Sequence, residues 1–98
     1  MPSNKTLPMF FYTYILQSMK DGDNYIGFTI DLRRRLEEHK LGRSFATSFR
    51  RPVRLIYYEA CLNELDAKQP EKYLKSTAGR RFLAKRLRQF KLSSLASN

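Results

Sequence analysis

Two stretches near the start of the chain have the composition of β-strands. Residues 10–16 (FFYTYIL) and 24–29 (NYIGFT) are rich in aromatic and β-branched side chains, which favour extended backbone. Between them, residues 20–23 (KDGD) contain an Asp-Gly pair, which favours a tight turn between antiparallel strands. The pattern therefore predicts a β-hairpin.

A helix and an irregular segment are predicted to follow this hairpin. In residues 31–41 (DLRRRLEEHKL), Leu32 and Leu36 are four positions apart and share one helix face, and Gly42 is placed to end the helix. Residues 42–52 are basic and rich in hydroxyl groups but show no periodicity. We therefore expect an exposed loop over that segment.

The second half of the chain is predicted to add one strand and two helices. Residues 53–60 (VRLIYYEA) alternate in part and favour a third strand. Asn63 is placed to cap a helix ending near residue 75, and Pro70 predicts a kink or two short segments. Residues 79–90 favour a third helix whose inward side chains are Phe82, Leu83, Leu87 and Phe90. The order ββαβαα indicates an α+β fold, a three-stranded antiparallel sheet flanked by three helices.

The length and composition indicate one compact domain. The 98 residues suffice for one hydrophobic core, to which seven Phe and six Tyr contribute. We expect a domain over residues 9–91 between flexible tails at residues 1–8 and 92–98, because both tails are small, polar and without pattern. The apolar run over residues 9–16 is too short to span a bilayer, and the lone Cys61 cannot form an internal disulfide. We therefore expect a cytoplasmic protein.

The charge of the chain points to a polyanionic partner. Nineteen Lys and Arg stand against nine Asp and Glu, for a formal net charge of +10. This excess favours nucleic acid as the partner and disfavours small neutral substrates. Charge alone leaves open an anionic membrane surface or a ribosomal site.

A set of aromatic and charged residues stands at spacings that match a known catalytic domain. The sequence YIG at residues 25–27 lies in the predicted hairpin, after YTY at residues 12–14. Arg35 and His39 follow at i and i+4 on the first predicted helix, so they share one face. A helical EKYLK at residues 71–75 follows the third strand. Over nearly all of the predicted domain, this set resembles the GIY-YIG nuclease domain, found alone in small bacterial proteins and as the N-terminal cutter of the bacterial excision-repair nuclease.

The resemblance implies a catalytic site and a reaction. The implied catalytic residues are Tyr14, Tyr25, Arg35, His39 and Glu71. They are implied to converge beside one divalent cation, Mg²⁺ or Mn²⁺, with no other cofactor, and to hydrolyse a phosphodiester bond of DNA. The implied protein is thus a metal-dependent DNA endonuclease of the kind that serves DNA repair.

The implied roles on the sheet and first helix agree with the chemistry of the side chains. Tyr25 is implied as the general base; an ordinary tyrosine pKa is near ~10, so such a base needs a cation beside it. The Arg35 fork suits a phosphate whose charge grows as water attacks. Tyr14 would orient the water or its neighbour, and His39 is a candidate for phosphate contact or proton transfer.

Glu71 is the implied metal ligand. A single carboxylate suits Mg²⁺, which keeps most of its waters and binds substrate oxygens. The alternative is a surface ion pair with Lys68 or Lys75, at i−3 and i+4. Pro70 directly precedes Glu71, and the Asn that often follows the glutamate in the family is absent here apart from Asn98. A non-catalytic nucleic-acid-binding module on the same fold is therefore the alternative function, and a small RNA-associated basic protein is the third.

Further residues are expected to contact the nucleic acid. Cations of the segment over residues 42–52 and of the last predicted helix are expected to hold phosphates, which gives salt-dependent affinity and little sequence specificity. The glycine of the YIG sequence permits a close approach of backbone. The expected contacts are Gly27, Arg43, Arg50, Arg51, Lys75, Arg80, Arg81 and Lys85. Since no additional recognition domain is predicted, we expect the chain to act on a DNA structure and not on a long sequence.

Overall fold

The fold consists of a small sheet and five helical segments. The computed structural model describes residues 9–96, and the side chains of residues 9–93. The expected N-terminal tail and the last two residues of the expected C-terminal tail lie outside the described residues. In chain order the elements are β1 (Phe11–Ser18), β2 (Asn24–Thr29), α1 (Leu32–Lys40), α2 (Phe45–Ser48), β3 (Val53–Cys61), α3 (Glu64–Leu74), α4 (Thr77–Arg86) and α5 (Arg88–Ala96).

The sheet confirms the predicted α+β class and the predicted hairpin. Its order is β2-β1-β3, with both pairs antiparallel. The hairpin turn contains Gly22 at φ +81°, a conformation that suits glycine. In the β1–β2 register Tyr14 is opposite Gly27, and Leu16 is opposite Tyr25, so these residues share one face of the sheet.

Helices cover both faces of the sheet. On one face, Ile15 packs with Leu74 of α3 and Leu83 of α4 to form the hydrophobic core. The Thr13 hydroxyl, on the same face, donates a hydrogen bond to the carbonyl of Ala67 in α3. The other face carries Tyr14, whose hydroxyl meets a side chain of α1. The centre of β1 is thus buried between layers, and its alternate residues serve the core and the candidate site.

The segment over residues 42–52 differs from the expected exposed loop. It contains the four-residue helix α2. Thr47 in the helix and the N-cap Ser44 are buried, while Phe45 and the C-cap Phe49 are exposed. The expectation holds for the exposed residues of the segment and was wrong for the helix and for the buried Ser44 and Thr47. The hydroxyl groups face inward and find hydrogen-bond partners, and the aromatic rings face outward.

Pro70 does not divide the helix that contains it. α3 is one element from Glu64 to Leu74, and the Asn63 side chain accepts hydrogen bonds from two backbone N–H groups of its first turn. The predicted cap is therefore confirmed, whereas the alternative of two short segments is wrong. Ala67 and Leu74, on either side of Pro70, are both buried, so packing holds both halves of the helix on the sheet.

The helix predicted over residues 79–90 consists of two helices. α4 begins two residues earlier, because the Ser76 side chain accepts a hydrogen bond from the Gly79 N–H. A Cβ on Gly79 would lie 2.0 Å from the carbonyl oxygen of Tyr73, so glycine permits the close packing of α4 on the end of α3. α5 follows after Leu87 and includes residues 92–96. Of the side chains expected inward, Leu83 is buried, Leu87 and Phe90 are partly buried, and Phe82 is 37% exposed.

Within residues 9–96, no helix combines the length and the apolar character that a membrane span requires.

Candidate active site

Four of the five predicted catalytic residues converge on one face of the sheet. Tyr14 on β1 and Tyr25 on β2 lie side by side, with ring centroids 6.3 Å apart. His39 of α1 lies against both rings, at centroid distances of 5.6 Å from Tyr14 and 5.3 Å from Tyr25. Arg35, one turn before His39, donates from Nε to the Tyr14 hydroxyl at 3.3 Å. The predicted i, i+4 face of α1 is therefore the face that meets the two tyrosines.

Tyr14 is fully buried at the centre of this group. Its hydroxyl is 2.8 Å from Nε2 of His39 and also accepts the bond from Arg35. Burial raises the pKa of Tyr14 to about 12, although the hydrogen bond from Arg35 lowers it. Tyr14 therefore keeps its proton at neutral pH, and it has no surface through which water could reach it.

His39 is a neutral and fully enclosed side chain. Its Nδ1 lies 2.7 Å from the Thr47 hydroxyl of α2, while Nε2 faces Tyr14. Burial, followed by the charge of Arg35, lowers the pKa of His39 to about 4. In either tautomer of the neutral ring, one nitrogen donates and the other accepts, so both contacts can be satisfied. Both nitrogens are thus used internally, and none remains for the expected phosphate contact.

Arg35 is held from three sides and still has donors to spare. Its guanidinium bonds to Glu38 at 2.8 Å and to the Ser44 hydroxyl at 3.3 Å, in addition to Tyr14. The hydrogen bond with Glu38 raises the pKa of Arg35 above its usual range, so the charge is permanent. A guanidinium has five N–H donors, and the side chain is 31% exposed. It can therefore bind an anion from the solvent side without giving up these bonds.

Gly27 serves the site from inside the protein. A Cβ at this position would lie 2.5 Å from the Tyr14 hydroxyl oxygen. The close approach expected from the sequence is present, but the neighbour is the buried Tyr14 ring and not a ligand. Since Gly27 itself is buried, its inclusion among the nucleic-acid contacts has no support from its position.

Tyr25 opens onto a basic groove. The groove has a volume of about 660 Å³ and is lined by Tyr25 together with Arg50, Lys75, Arg80 and Lys91. Tyr25 is partly exposed, in contrast to Tyr14. Three of the predicted basic contacts, Arg50, Lys75 and Arg80, are therefore brought to the side of Tyr25. The other four do not line the groove although they are exposed: Arg43, Arg51, Arg81 and Lys85.

Glu71 lies outside the tyrosine–histidine group. It is four residues after Ala67 and three before Leu74, the buried residues of α3, so it lies on the side of the helix that faces the sheet. Among the described residues, its charged partner is Lys75, with Nζ 3.4 Å from Oε2, and that lysine lines the groove beside Tyr25. Lys68, the alternative partner, pairs with Glu64. Glu71 thus contacts one residue of the groove, Lys75. It is bonded to none of the other four predicted catalytic residues.

The donor set fits a hard cation with few protein ligands. Within residues 9–96, no cluster of three or more His, Cys, Asp and Glu side chains could enclose a metal ion. A lone, partly exposed carboxylate such as Glu71 suits Mg²⁺ or Mn²⁺, which complete their shells with water and substrate oxygens.

Three residues that hold the site were not predicted from the sequence. Thr47 fixes the His39 ring, and Ser44 and Glu38 fix the Arg35 guanidinium. Glu38 had a signal in its i+3 spacing from Arg35. Ser44 and Thr47 had none, because they act through a four-residue helix in a segment without periodicity.

The sheet, the flanking helices and the tyrosine–histidine group together define a nuclease-type catalytic fold. The family model of the GIY-YIG catalytic domain matches residues 10–88, and the chain belongs to this family.

Several curated proteins are similar to the chain in sequence. A UPF0213 protein of Streptococcus pneumoniae serotype 4 is 42% identical over 65 residues, which are 65% of each chain. One from Pediococcus pentosaceus is 44% identical over 62 residues, 62% of this chain and 64% of the relative. The UPF0213 protein YazA of Bacillus subtilis is 39% identical over 67 residues, 67% of this chain and 65% of the relative. The chain thus spans about 65% of the length of these curated relatives. No solved structure matches the chain.

Proposed function

We propose that the chain is a divalent-metal-dependent DNA endonuclease that cleaves at DNA structures and not at a specific sequence. One observation carries the proposal: a buried Tyr14–His39 pair supports a second, accessible tyrosine beside the permanent charge of Arg35. A nuclease needs a group that can take a proton from water next to a cation that can hold the phosphate. Tyr25, which lines the basic groove, and Arg35, which lies beside Tyr25, supply these two groups.

The two tyrosines have different proposed roles. Tyr25 is the proposed general base, because it is the tyrosine that water in the groove can reach. As the phenolate, it takes a proton as the water oxygen attacks phosphorus, while Arg35 binds the oxygens on which charge develops. The bond to the 3′ oxygen breaks, and that oxygen takes a proton from solvent. Tyr14 and His39 are positioning residues, since both are buried and bonded to each other.

Glu71 is the proposed ligand of a single Mg²⁺ or Mn²⁺ ion. When bound, the ion supplies charge stabilisation for the leaving oxygen and the phosphate. The Glu71 carboxylate is suited to this role because its ion pair with Lys75 is long and partly exposed, so the carboxylate can exchange that partner. Lys75, together with Arg50 and Arg80, is proposed to hold the DNA backbone along the groove.

The test is cleavage of supercoiled plasmid and of branched DNA by the purified protein, with Mg²⁺ or with a chelator. We expect nicking with the metal, no nicking with the chelator, and loss of nicking in Glu71→Gln. The matched control is Glu64→Gln, because Glu64 is on the same helix in an i, i+4 pair with Lys68. Nicking that survives in Glu71→Gln, or that resists the chelator, would refute the metal role.

A non-catalytic nucleic-acid-binding module is the second candidate. It is favoured by the position of Glu71, which follows Pro70 and is bonded to Lys75 and not to the tyrosine–histidine group. This function predicts that the protein binds DNA but does not nick it with either Mg²⁺ or Mn²⁺. Competition between DNA and RNA of the same length in the binding assay separates both proposals from that of an RNA-associated basic protein.

A further inference from the structure

Two phenylalanines stand exposed at the ends of the short helix α2, Phe45 as its first residue and Phe49 as its C-cap. Phe45 is 85% exposed and Phe49 is 76% exposed, and their ring centroids are 6.2 Å apart with the planes nearly perpendicular. Two neighbouring aromatic rings in water are unfavourable unless a partner covers them. Neither ring is required for the core, so their exposure calls for a functional reason.

The opposite side of α2 is part of the candidate site. Ser44 accepts a hydrogen bond from Arg35, and Thr47 is bonded to His39. The exposed rings are therefore attached to a helix that the site itself holds in place. A ligand on Phe45 and Phe49 would therefore contact the same short helix that holds Arg35 and His39.

The surroundings of the two rings are positively charged. Arg43 precedes α2, and Arg50 and Arg51 follow it, with Arg50 lining the groove beside Tyr25. No acidic residue occurs between positions 39 and 58 of the sequence. Aromatic rings within a basic surface complement a chain that offers both phosphates and flat apolar faces, which is the chemistry of single-stranded nucleic acid.

We propose that Phe45 and Phe49 stack on unpaired bases of the substrate. The inference rests on the proposed nuclease function and deepens it, because it names the substrate class as DNA in which a single-stranded segment adjoins a duplex. Bases within a duplex are already stacked on each other and present only their edges, so the rings would contribute little to binding fully paired DNA. The duplex would lie in the basic groove, and the unpaired strand would pass over α2.

The test is equilibrium binding measured by fluorescence anisotropy in the presence of a chelator, so that no cleavage occurs. One probe is a duplex with a single-stranded tail of about ten thymidines, within the span that stacking platforms cover, and the other is the blunt duplex. We expect Phe45→Ala/Phe49→Ala to weaken binding of the tailed probe about tenfold or more, since stacking contributes about fivefold or more per base and two rings are removed. Binding of the blunt duplex, held by phosphate contacts, should change less than about twofold.

The matched control is Leu62→Ala/Leu65→Ala, which removes two other exposed apolar side chains, 63% and 71% exposed, outside α2. It should leave both affinities unchanged. Phe45→Tyr/Phe49→Tyr keeps the rings and should retain the preference for the tail. Equal losses on both probes, or no loss on either, would overturn the proposal.

A direct readout is photo-crosslinking with 5-iodouracil in the tail, followed by mass spectrometry. Crosslinks at Phe45 or Phe49 support the stacking, and crosslinks confined to other residues refute it. A dimer of the free protein that sedimentation detects and that the double alanine variant loses would also refute it, since the rings would then cover each other between copies. The plasmid assay reports failure of the nuclease function separately, because the tail preference does not require cleavage.

Discussion

The two halves of the candidate site are built in opposite ways. Tyr14 and His39 have no exposed surface, and their polar atoms are bonded to each other, to Arg35 and to Thr47. In the other half, Glu71 and Lys75 are 31% and 58% exposed in their side chains and are joined by one contact of 3.4 Å. The first half is closed, and the second half is open.

The closed half is suited to holding side chains in position, and the open half is suited to exchanging one binding partner for another. A closed network of hydrogen bonds keeps its geometry before a substrate arrives, so Tyr25 and Arg35 need little rearrangement when DNA binds. An exposed carboxylate in a weak ion pair loses little when it changes partner. If Glu71 binds a cation together with the substrate, its openness is what that role requires.

The largest expected effect is the loss of cleavage when Tyr25 is replaced. Tyr25 contacts Tyr14 and His39 of the closed half and lines the groove together with Lys75. Tyr25→Phe should reduce the nicking rate by about 100-fold or more, because it removes the proposed general base. Its free energy of unfolding should change less than that of Tyr14→Phe, since Tyr25 is partly exposed and Tyr14 is fully buried. The measurements are single-turnover nicking and urea denaturation.

Tyr14→Phe is the matched control for that variant. It should lose cleavage and, in addition, about 1–3 kcal/mol of stability, because His39 and Arg35 would lose a buried partner. If Tyr25→Phe nicks at the normal rate, Tyr25 is not the base. If Tyr14→Phe is as stable as the native protein, the closed half is not a structural network.

The next effect is a pH dependence of stability that belongs to the closed half. The pKa of His39 is lowered from 6.5 to about 4 by burial, so the folded state resists protonation that the unfolded chain accepts. The contribution of His39 to the free energy of unfolding is therefore fully present above pH 6.5. It falls as the pH drops towards about 4, by about 1.4 kcal/mol per pH unit.

His39→Gln isolates this contribution, since glutamine keeps polar atoms and does not titrate. The difference in free energy of unfolding between the native protein and the variant should shrink as the pH falls through the window. Urea denaturation at a series of pH values measures it, and carboxylates that titrate in the same range cancel in the difference. A difference that is constant across the window would show that His39 is not held neutral.

The sequence predicted Tyr14, Arg35 and His39 of the closed half. It did not predict Thr47, which holds His39 in place. The hairpin, with Asp-Gly in its turn, sets Tyr14 opposite Gly27, and the i, i+4 spacing sets Arg35 and His39 on one face. These are local rules of strand and helix geometry. Thr47 depends on the path of a segment without periodicity, which only tertiary packing decides.

The helices after β3 show the same limit. Asn63 is a local cap and was predicted correctly. Gly79 was taken as the start of a helix, although its role is to let α4 approach the carbonyl of Tyr73, and that contact is not visible in the sequence. The break at Leu87 likewise has no proline or glycine to signal it.

The smallest expected effect tests the open half. A double-mutant cycle of Glu71→Gln and Lys75→Met should give a coupling free energy of unfolding below about 0.5 kcal/mol, because both side chains are solvated. Urea denaturation of the four proteins measures it. A coupling well above that limit would make Glu71 a structural residue, since a carboxylate committed to Lys75 could not be released for a cation without loss of stability. A small coupling, combined with a Mg²⁺-dependent rise in melting temperature that Glu71→Gln abolishes, would show that the carboxylate is free to bind the ion.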